Sequence, residues 1–266
     1  MSKCVFNESN VARIHDKYYN SVIPNKNGVN RVNYDGRMLE QFSVENFNFI
    51  VHKNDTCVAD CLRSGRLFEK FLVSYLRHFI NPNKNVLDLG ANIGTHTVLY
   101  SNYIHSANRV YSFEPQKVVF DILCQNIELN NCKNVVPFNF GCSNANSVVY
   151  MNACYETKDN HGAFRIDSTR NETNGGLRIE CKIVDELDSI TNVGYVKIDV
   201  EGHEYEALLG MKQMLLRDRP VIMIEIHDSC ATKHDTMAFL AQLGYATYHK
   251  LTHCDHIFIN NMNQSN

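Results

Sequence analysis

Short, mostly apolar runs alternate with amphipathic segments along most of this 266-residue chain. Such runs are typical of strands buried on both faces, and they lie at residues 86–89, 109–113, 135–140, 195–200 and 221–226. Segments with helical periodicity follow four of these runs, at residues 95–104, 115–130, 204–216 and 234–243. With two short terminal strands at 246–249 and 256–259, this pattern predicts an α/β fold. We expect a Rossmann-like, doubly wound, mostly parallel seven-stranded sheet with helices on both faces and an antiparallel terminal strand.

The first quarter of the chain has a different pattern. Residues 1–37 are polar, rich in Asn and without periodicity, so we predict an irregular or partly helical lead. Residues 42–51 alternate between apolar and polar, which predicts a hairpin strand with one buried face. Residues 66–79 have helical spacing, and the side chains expected on one face are Leu67, Phe71, Tyr75 and Phe79, with Leu72 and Leu76 beside them. We therefore divide the chain into an N-terminal extension, residues 1–60, and a main domain, residues 61–262.

Charge and hydropathy exclude several classes of protein. The net charge is −3 and no block of Lys and Arg is present, so neither nucleic acid nor an anionic membrane is an expected partner. No apolar run approaches the roughly 20 residues needed to span a bilayer. The N-terminal residues lack the apolar core of a signal peptide. We therefore expect a soluble, cytoplasmic protein, whose oligomeric state the sequence does not indicate.

The ten cysteines are scattered singly, without a Cys-x-x-Cys pair. Such cysteines are typical of reduced thiols that act as small apolar side chains in a cytoplasmic protein. A zinc site would have to use His249, His253, Cys254 and His256, which lie on the predicted terminal strands. Because that group lacks a second ligand pair at zinc-finger spacing, we do not predict a metal site there.

The most informative motif is the turn between the strand at 86–89 and the helix that follows. Gly90 ends the strand and Gly94 precedes the helix, so the backbone and the first helical amides can approach a ligand closely. The Gly-x-x-x-Gly spacing, with Asn92 inside it, differs from the Gly-x-Gly-x-x-Gly of dinucleotide sites. Asp88 would repel phosphates but suits the cationic groups of S-adenosylmethionine (SAM), and Glu114, at the end of the next strand, suits a ribose diol.

Acidic residues also lie near the ends of two further predicted strands. Asp199 is near the end of the strand at 195–200, and Glu225 is near the end of the strand at 221–226. Because the carboxyl ends of parallel strands meet at one edge of a sheet, we expect these two carboxylates to lie close to Asp88 and Glu114.

Three segments resemble the signature of the FkbM family. They are Val-Leu-Asp-Leu-Gly-Ala-Asn-Ile-Gly at 86–94, Phe-Glu-Pro at 113–115, and Val-Lys-Ile-Asp-Val-Glu-Gly-His-Glu at 196–204. Phe68-Glu69, Val-Asp-Glu-Leu at 184–187 and the stretch 220–225 also match the layout of the family, and the resemblance covers about residues 40–260. Members of this family are class I SAM-dependent methyltransferases that mostly O-methylate hydroxyls of sugars or natural products.

The resemblance implies cofactor-binding roles at the matching positions. Those that would hold the methionine end of SAM lie in one turn: Asp88, Gly90, Asn92 and Gly94, with Ala91 between them. Glu114, with Pro115 beside it, would bind the ribose, and the stretch from Asn139 to Cys142 would flank the adenine. Glu69 matches a glutamate that precedes the motif, and Asp199 would lie against the cofactor as well. His203 occupies a variable position, so the resemblance assigns it no role.

Methyl transfer to a hydroxyl is expected to need a base. A positioned base accelerates such a step by roughly 10²–10⁴-fold. The candidate catalytic residues follow the fourth and fifth predicted strands: Asp199, Glu201, His203 and Glu225. Asp199 is the first choice, whereas Glu201 and His203 have the alternative role of capping the next helix. Asp199, Glu201 and Glu225 could hold Mg²⁺, but we expect catalysis without a metal, or with modest assistance from one.

The sequence therefore predicts a SAM-dependent methyltransferase domain at 61–262 that transfers a methyl group to a hydroxyl of a sugar, a glycan or a related small molecule. The polar segment 155–176, which contains Asn160-His161-Gly162, is expected to shape the acceptor site, the alternative being a mobile surface insertion. Two other functions remain open: an RNA ribose methyltransferase and a SAM-binding module without turnover. Lys197 and Asp199 alone do not make the four-residue set of cap ribose methyltransferases.

Overall fold

The computed structural model describes residues 22–23, 30–34, 37–157, 159–245 and 247–264. The strands are Val22–Ile23 (β1), Asn30–Tyr34 (β2), Arg37–Val44 (β3), Phe47–His52 (β4), Asn85–Leu89 (β5), Val110–Phe113 (β6), Val135–Phe138 (β7), Gly141–Cys142 (β8), Ser147–Met151 (β9), Leu177–Lys182 (β10), Val193–Ile198 (β11), Val221–Glu225 (β12), Thr247–Lys250 (β13) and Asp255–Ile259 (β14). The helices are Val58–Arg63 (α1), Lys70–Leu76 (α2), Thr95–Tyr103 (α3), Lys117–Leu129 (α4), Glu204–Leu209 (α5), Lys212–Asp218 (α6) and Lys233–Gln242 (α7). Most of the predicted irregular or partly helical lead lies outside the described residues. Its described part forms β1, β2 and the first residue of β3, so the prediction is wrong there.

The main sheet has seven strands in the order β13-β14-β12-β11-β5-β6-β7. Five of them run parallel, while β14 is antiparallel to both β12 and β13. Every residue of β6 and of β11 is buried, as the continuous apolar runs predict for strands covered on both faces. The expected mostly parallel sheet with an antiparallel end is confirmed.

Two separate hydrophobic clusters cover the two faces of this sheet. Val86 belongs to one cluster and the next residue, Leu87, to the other, and Tyr195 and Val196 are divided in the same way. Since successive strand residues point to opposite faces, each cluster lies on its own face. The first cluster packs the sheet against α3 and α4, and the second packs it against α5, α6 and α7. Helices therefore lie on both faces, as predicted.

A four-stranded antiparallel sheet, β1-β2-β3-β4, is joined to the first face through α4. Asn126 on α4 accepts a hydrogen bond from the Ile50 N–H at 2.6 Å and donates to the Ile50 carbonyl at 2.9 Å. The same side chain donates to the carbonyl of Ile93 at 2.7 Å. The single hairpin strand predicted at 42–51 is wrong, because the chain turns at Glu45, which has φ 57°, and the range covers the end of β3 and most of β4. These two strands pair as a hairpin, and its core is continuous with that of the main sheet. A boundary near residue 60 stays a prediction.

The polar segment between β9 and β10 lies beside a third sheet, β8-β10-β9. The run at 135–140 was predicted as one strand, but β7 ends at Phe138 and the chain then enters this small sheet through β8.

Within the described residues, no helix is both long and apolar enough to cross a membrane.

The predicted helix at 66–79 is wrong in its start, and its buried face is centred on Leu72 and Leu76, which were expected beside the buried face rather than in it. The helix begins only at Lys70, because Glu69 adopts a left-handed conformation with φ 50°. That change of backbone direction means that a helical phase counted from Leu67 does not carry into α2. Phe71 is 89% exposed and Tyr75 is 43% exposed. The buried side chains of α2 are Leu72, Val73 and Leu76.

Two further helix predictions need correction. The predicted helix at 204–216 is divided into α5 and α6, because Gly210 packs directly against the chain after β8. A Cβ atom at Gly210 would lie 2.0 Å from the carbonyl oxygen of Ser143. The short helix α1 was not predicted, and it begins where the Asp55 carboxylate accepts the N–H groups of Cys57 and Ala59 at 3.1 Å and 2.8 Å.

Candidate active site

The glycine turn after β5 is held by its neighbours on both sides. The N–H groups of Gly90 and Ala91 both donate to the Phe113 carbonyl of β6 at 3.0 Å. Gly90 has φ +75°, and a Cβ atom there would lie 1.7 Å from the carbonyl oxygen of Asp199. Gly94 has φ +89°, and its Cβ would lie 2.5 Å from Cδ1 of Leu123. At Gly90 the clash is with backbone, so only glycine allows the ends of β5 and β11 to meet there, whereas at Gly94 the positive φ is the stronger reason for glycine.

Glu114, at the end of β6, holds the turn with both of its carboxylate oxygens. Oε2 accepts the Asn92 N–H at 3.0 Å, and Oε1 accepts the Gln116 N–H at 2.8 Å. Burial raises the pKa of Glu114 to about 7, although these hydrogen bonds favour its ionised form. The Asn139 side chain donates to the carbonyls of Glu114 and Pro115 at 2.9 Å and 3.0 Å. Asn139 therefore supports the segment that carries Glu114.

Lys197 of β11 connects the turn to two acidic residues. Its Nζ donates to Oδ2 of Asp199 at 3.0 Å and to the Gly90 carbonyl at 3.3 Å, and it lies 3.9 Å from Oδ1 of Asp88. Burial disfavours the charged ammonium, but Asp199 and Asp88 outweigh it and raise the pKa of Lys197. Asp88 is fully buried and accepts the Thr97 hydroxyl at 2.5 Å. Asp88 thus lies beneath the turn and acts on its surroundings through Lys197 and Thr97.

Three carboxyl groups meet beyond the ends of β11 and β12. Oxygen atoms of Asp199, Glu201 and Glu225 all lie within 4.8 Å of one another. Burial opposes ionisation of Asp199, but Lys197 outweighs it and lowers the pKa of this carboxyl. Burial and the charge of Asp199 raise the pKa of Glu225 to about 8 and that of Glu201 to about 7. Near neutral pH the cluster therefore carries a fixed charge on Asp199 and a labile proton on Glu201.

Two clefts adjoin this cluster and share one wall. The smaller is about 60 Å³, and residues lining it include Gly90, Glu114, Pro115, Gly141, Met151, Phe164, Ile179, Cys181 and Asp199. The larger is about 240 Å³, and residues lining it include Arg165, Glu204, His227, Ser229 and Cys230. Ile166, Glu201 and His203 line both clefts. Groups bound in the two clefts would meet at this wall.

His203 points into this wall and does not cap α5. Its Nε2 lies 2.9 Å from the Ser143 hydroxyl, and its Nδ1 lies 3.6 Å from Oε2 of Glu206. Burial lowers the pKa of His203, so its imidazole is neutral at neutral pH. Although His203 occupies the position before α5, its side chain makes no capping hydrogen bond. The alternative capping role is therefore not observed for His203.

The expected site residues fall into two groups. Those that line a cleft are Gly90, Glu114, Pro115, Asp199, Glu201 and His203. Those that line neither cleft are Asp88, Ala91, Asn92, Gly94 and Asn139, and Glu225 lies against Asp199. Glu69 also lines neither cleft: it is a partly exposed residue whose Oε2 is 3.2 Å from Nε2 of the buried His96. Burial would raise the pKa of Glu69, but the contact with His96 outweighs it and lowers this pKa.

Several lining residues were not predicted. The segment between β9 and β10 supplies Phe164, Arg165 and Ile166, and the Arg165 Nε donates to Oε2 of Glu201 at 3.4 Å. The apolar side chains of β9 and β10 that line the smaller cleft are Met151, Ile179 and Cys181. In β10 the buried Ile179 and Cys181 alternate with exposed residues, which is typical of a strand with one buried face but does not by itself indicate a binding site.

Gln116, also not predicted, anchors that segment to the first turn of α4. Its Oε1 accepts the Tyr155 hydroxyl at 2.7 Å, and its Nε2 donates to the His161 carbonyl at 3.3 Å. His161 is buried, with its ring 5.0 Å from that of His52 and 5.3 Å from that of Tyr155. The central part of the polar segment is therefore packed against the protein.

Comparisons with known proteins identify the family of this chain. Residues 88–247 match the model of the methyltransferase FkbM domain. Hexuronic acid methyltransferase AglP of Haloferax volcanii is 30% identical over 163 residues, which are 60% of this chain and 62% of AglP. Methyltransferase 1 of Beauveria bassiana is 23% identical over 179 residues, with coverage of 60% of this chain and 72% of that protein. The crystal structure of methyltransferase FkbM from Methylobacillus flagellatus KT has a TM-score of 0.48 and 15% identity, covering 67% of this chain and 44% of that chain.

The match to AglP thus spans less than two thirds of that protein. The family model, by contrast, covers more than half of the present chain, and it includes the glycine turn, Glu114 and the acidic cluster. This protein therefore belongs to the FkbM-domain methyltransferases.

Proposed function

We propose that this methyltransferase uses SAM to methylate a hydroxyl of a sugar, a glycan or a similar polyhydroxylated small molecule. The observation that carries the proposal is the pair of clefts that meet at Ile166, Glu201 and His203. The lining of the smaller cleft offers the contacts that a nucleoside needs, although the cleft must widen beyond about 60 Å³ to admit one. With the acceptor in the larger cleft, the reacting atoms of both would meet beside an ionisable carboxyl. The name of the relative AglP, a hexuronic acid methyltransferase, supports a sugar as acceptor.

The smaller cleft has the chemistry that SAM requires. Its floor is backbone at Gly90 and Gly141, and its apolar walls at Met151, Phe164 and Ile179 would cover an adenine. The two Glu114 oxygens each accept one N–H, and an ionised carboxylate has further acceptor sites for ribose hydroxyls. When bound, SAM supplies an electrophilic methyl group on a sulfonium. In this proposal Asn92, Gly94 and Asn139 position the lining, and Asp88 acts through Lys197.

We assign the general-base role to Glu201. It lines both clefts, and its raised pKa of about 7 lets its carboxylate accept a proton from a hydroxyl near neutral pH. Asp199 was the first choice from the sequence, but its ion pair with Lys197 makes it the weaker base. Its fixed negative charge instead favours a cationic group in the smaller cleft. His203 is neutral and hydrogen bonded to Ser143, and its role in this proposal is to hold the wall shared by the two clefts in place.

Arg165 favours an acidic sugar among the possible acceptors. Its side chain is 56% exposed and lines the larger cleft beside Glu201. A guanidinium there can pair with a sugar carboxylate, because Arg binds planar carboxylates through two parallel hydrogen bonds. The exposed imidazole of His227 offers one more polar contact in the same cleft.

The test combines SAM binding with methyl transfer to defined acceptors. Calorimetric titration of SAM should show saturable binding, and release of S-adenosylhomocysteine should be stimulated by uronic acid glycosides more than by neutral sugars. An RNA oligonucleotide should give no product, and the protein should not be retained on a polyanion resin at moderate salt. Turnover on RNA and on no sugar would show that the acceptor is a nucleic acid. SAM binding without turnover on any acceptor would indicate a SAM-binding module. Absence of SAM binding would refute the proposal.

A further inference from the structure

The antiparallel pair β12–β14 continues beyond the last residue of β12. The Ile226 N–H donates to the Cys254 carbonyl at 2.8 Å, one step past the pairing of Glu225 with Asp255. This continuation brings the chain after β12 alongside the turn between β13 and β14. The rings of His227 and His253 consequently lie near each other, with centroids 6.2 Å apart and their planes tilted by 54°.

Cys254 completes a group of three nitrogen and sulfur ligands at this place. Ligand atoms of His227, His253 and Cys254 all lie within 4.8 Å of one another. Tetrahedral zinc bonded to imidazole and thiolate places its ligand atoms about 3.4–3.6 Å apart. Side-chain movements of about 1 Å would therefore close this group around an ion. Nitrogen and thiolate ligands favour zinc over magnesium or calcium.

The turn that carries two of these ligands is fixed by its own hydrogen bonds. Thr252 Oγ1 accepts the N–H groups of Cys254 at 3.2 Å and of Asp255 at 3.0 Å. The Leu251 N–H donates to the Asp255 carbonyl at 2.8 Å. Because this turn holds its shape without a ligand, binding would require little ordering of the backbone.

Glu225 supplies the outer carboxylate that zinc-binding histidines commonly have. The Cys254 thiol lies 3.2 Å from Glu225 Oε1, to which it donates, and Nε2 of His227 lies 3.6 Å from Oε2. The positive charge of a bound ion would favour the ionised form of Glu225, and a carboxylate at this place would orient the imidazole and increase its basicity as a ligand. This group thus contains ligands and the carboxylate that would orient them.

We propose that His227, His253 and Cys254 bind a zinc ion, with the fourth coordination position left to water. Binding would displace the proton of the Cys254 thiol, so one proton leaves as the sulfur–metal bond forms. The ion would join the chain after β12 to the β13–β14 turn and would fix His227, which lines the larger cleft. The sequence had grouped His253 and Cys254 with His249 and His256, whereas the structure groups them with His227.

The test uses Zn²⁺ and Co²⁺ on tag-free protein after treatment with a chelator. Mass spectrometry should find about one zinc per wild-type chain after dialysis, and Co²⁺ should give the strong visible bands of four-coordinate cobalt with a thiolate charge-transfer band. Cys254→Ser should lose the thiolate band. His253→Gln, at an exposed position, should weaken zinc binding by more than about 100-fold, because loss of an outer partner alone costs about 10–100-fold.

Two controls match these variants. His249→Gln removes an exposed histidine on β13, and Cys61→Ser removes a thiol of α1, so both should bind zinc as the wild type does. Zinc should raise the melting temperature of the wild type and of both controls, but not that of His253→Gln. A wild type that binds no zinc would overturn the proposal, as would a cobalt spectrum that Cys254→Ser leaves unchanged.

Discussion

Three features of Glu201 set it apart from the other acidic residues of the site. Its backbone has a positive φ of 54°, it lines two clefts, and burial together with Asp199 raises the pKa of its carboxyl to about 7. The ionisable groups that act on it are Asp199, Glu225 and Glu204, which are acidic, Arg165, which is basic, and His203, which lines the same wall. Strained backbone at a cleft is typical of residues positioned for a function.

Glu201→Gln should reduce kcat by roughly 10²–10⁴-fold while leaving the Kd for SAM nearly unchanged, because it removes a base but little volume. In the wild type, kcat should fall about tenfold for each pH unit below about 7, since protonation of Glu201 removes the base. The variant should lack this dependence. The measurement is a pH profile of kcat, with Glu180→Gln on β10, an exposed glutamate, as control. Equal pH profiles for Glu201→Gln and the wild type would contradict the assignment.

Gly90 allows a quantitative test of close backbone packing. Gly90→Ala places a methyl group 1.7 Å from the Asp199 carbonyl, whereas Gly65→Ala meets nothing within 4 Å at a similar φ of +72°. Both variants introduce the same backbone strain, so their difference measures the clash. Gly90→Ala should lose about 1–3 kcal/mol more stability in urea unfolding than Gly65→Ala, and it should bind SAM more weakly. Equal losses of stability in Gly90→Ala and Gly65→Ala would show that the turn moves away from the added methyl group at no cost in free energy.

At the residue scale, the sequence located the glycine turn and the carboxylates, since both follow recognisable strand ends. It did not reveal how these residues divide between lining and support. That division depends on Lys197, whose partners Asp88 and Gly90 lie in β5 and in the turn after it. This strand is next to β11 in the sheet, but Gly90 is 107 residues away from Lys197 in the sequence. A single lysine in an apolar strand carries no sequence signal of the charges it will meet.

At the scale of elements, α2 shows why helical phase needs a correct starting point. The aromatic side chains of α2 were expected inside, but the left-handed Glu69 shifts the start of the helix and directs Leu72, Val73 and Leu76 into the core. The two sides of α2 are similarly hydrophobic, because one carries Phe71 and Tyr75 and the other carries three aliphatic residues. Backbone conformation at one residue decided between them.

This difference predicts opposite costs for two substitutions in the same helix. Leu76→Ala, at a fully buried position, should destabilise the protein by about 2–5 kcal/mol through lost burial and a cavity. Phe71→Ala, at a position 89% exposed, should change stability by less than about 0.5 kcal/mol. Denaturant unfolding of both variants gives the comparison. A larger loss of stability for Phe71→Ala than for Leu76→Ala would show that the buried face is the one expected from the sequence.

At the scale of the whole molecule, the N-terminal strands and the segment between β9 and β10 meet at Asp55. Its Oδ1 accepts the N–H groups at the start of α1, and its Oδ2 accepts the His161 N–H at 3.3 Å. The Asn54 side chain donates to the carbonyls of Tyr155 and Glu156 at 3.1 Å and 3.0 Å. The wall of the clefts is therefore tied to residues outside the matched family region.

Asp55→Ala should consequently affect stability and cofactor binding together. The variant leaves buried N–H groups without an acceptor, which costs about 1–3 kcal/mol. Amides of residues 159–166 should exchange with deuterium faster, and SAM should bind more weakly because Phe164 lines the smaller cleft. Asp60→Ala is the matched control, since its carboxylate makes a largely exposed ion pair with Arg63. If residues 159–166 exchange at wild-type rates in Asp55→Ala, the link has no role in ordering the wall.

The main sheet was predictable because its buried parallel strands are long enough to be read as separate apolar runs. The strand β8 of the small sheet was not, since it has only two residues and follows β7 closely in the sequence. The zinc ligands escaped prediction for a related reason. His227 follows β12, whereas His253 and Cys254 precede β14, and only the antiparallel pairing of these strands brings them together.

The hydrogen bond from Lys197 to the Gly90 carbonyl also bears on how the protein folds. It joins positions 107 residues apart, so the contacts that create the smaller cleft are among the more distant ones in the sheet. Contacts of this kind usually form late, since closing a long loop costs entropy before the contact compensates for it. During synthesis the glycine turn leaves the ribosome well before its partners on β11. A ligand of the finished cleft should therefore slow unfolding without accelerating folding.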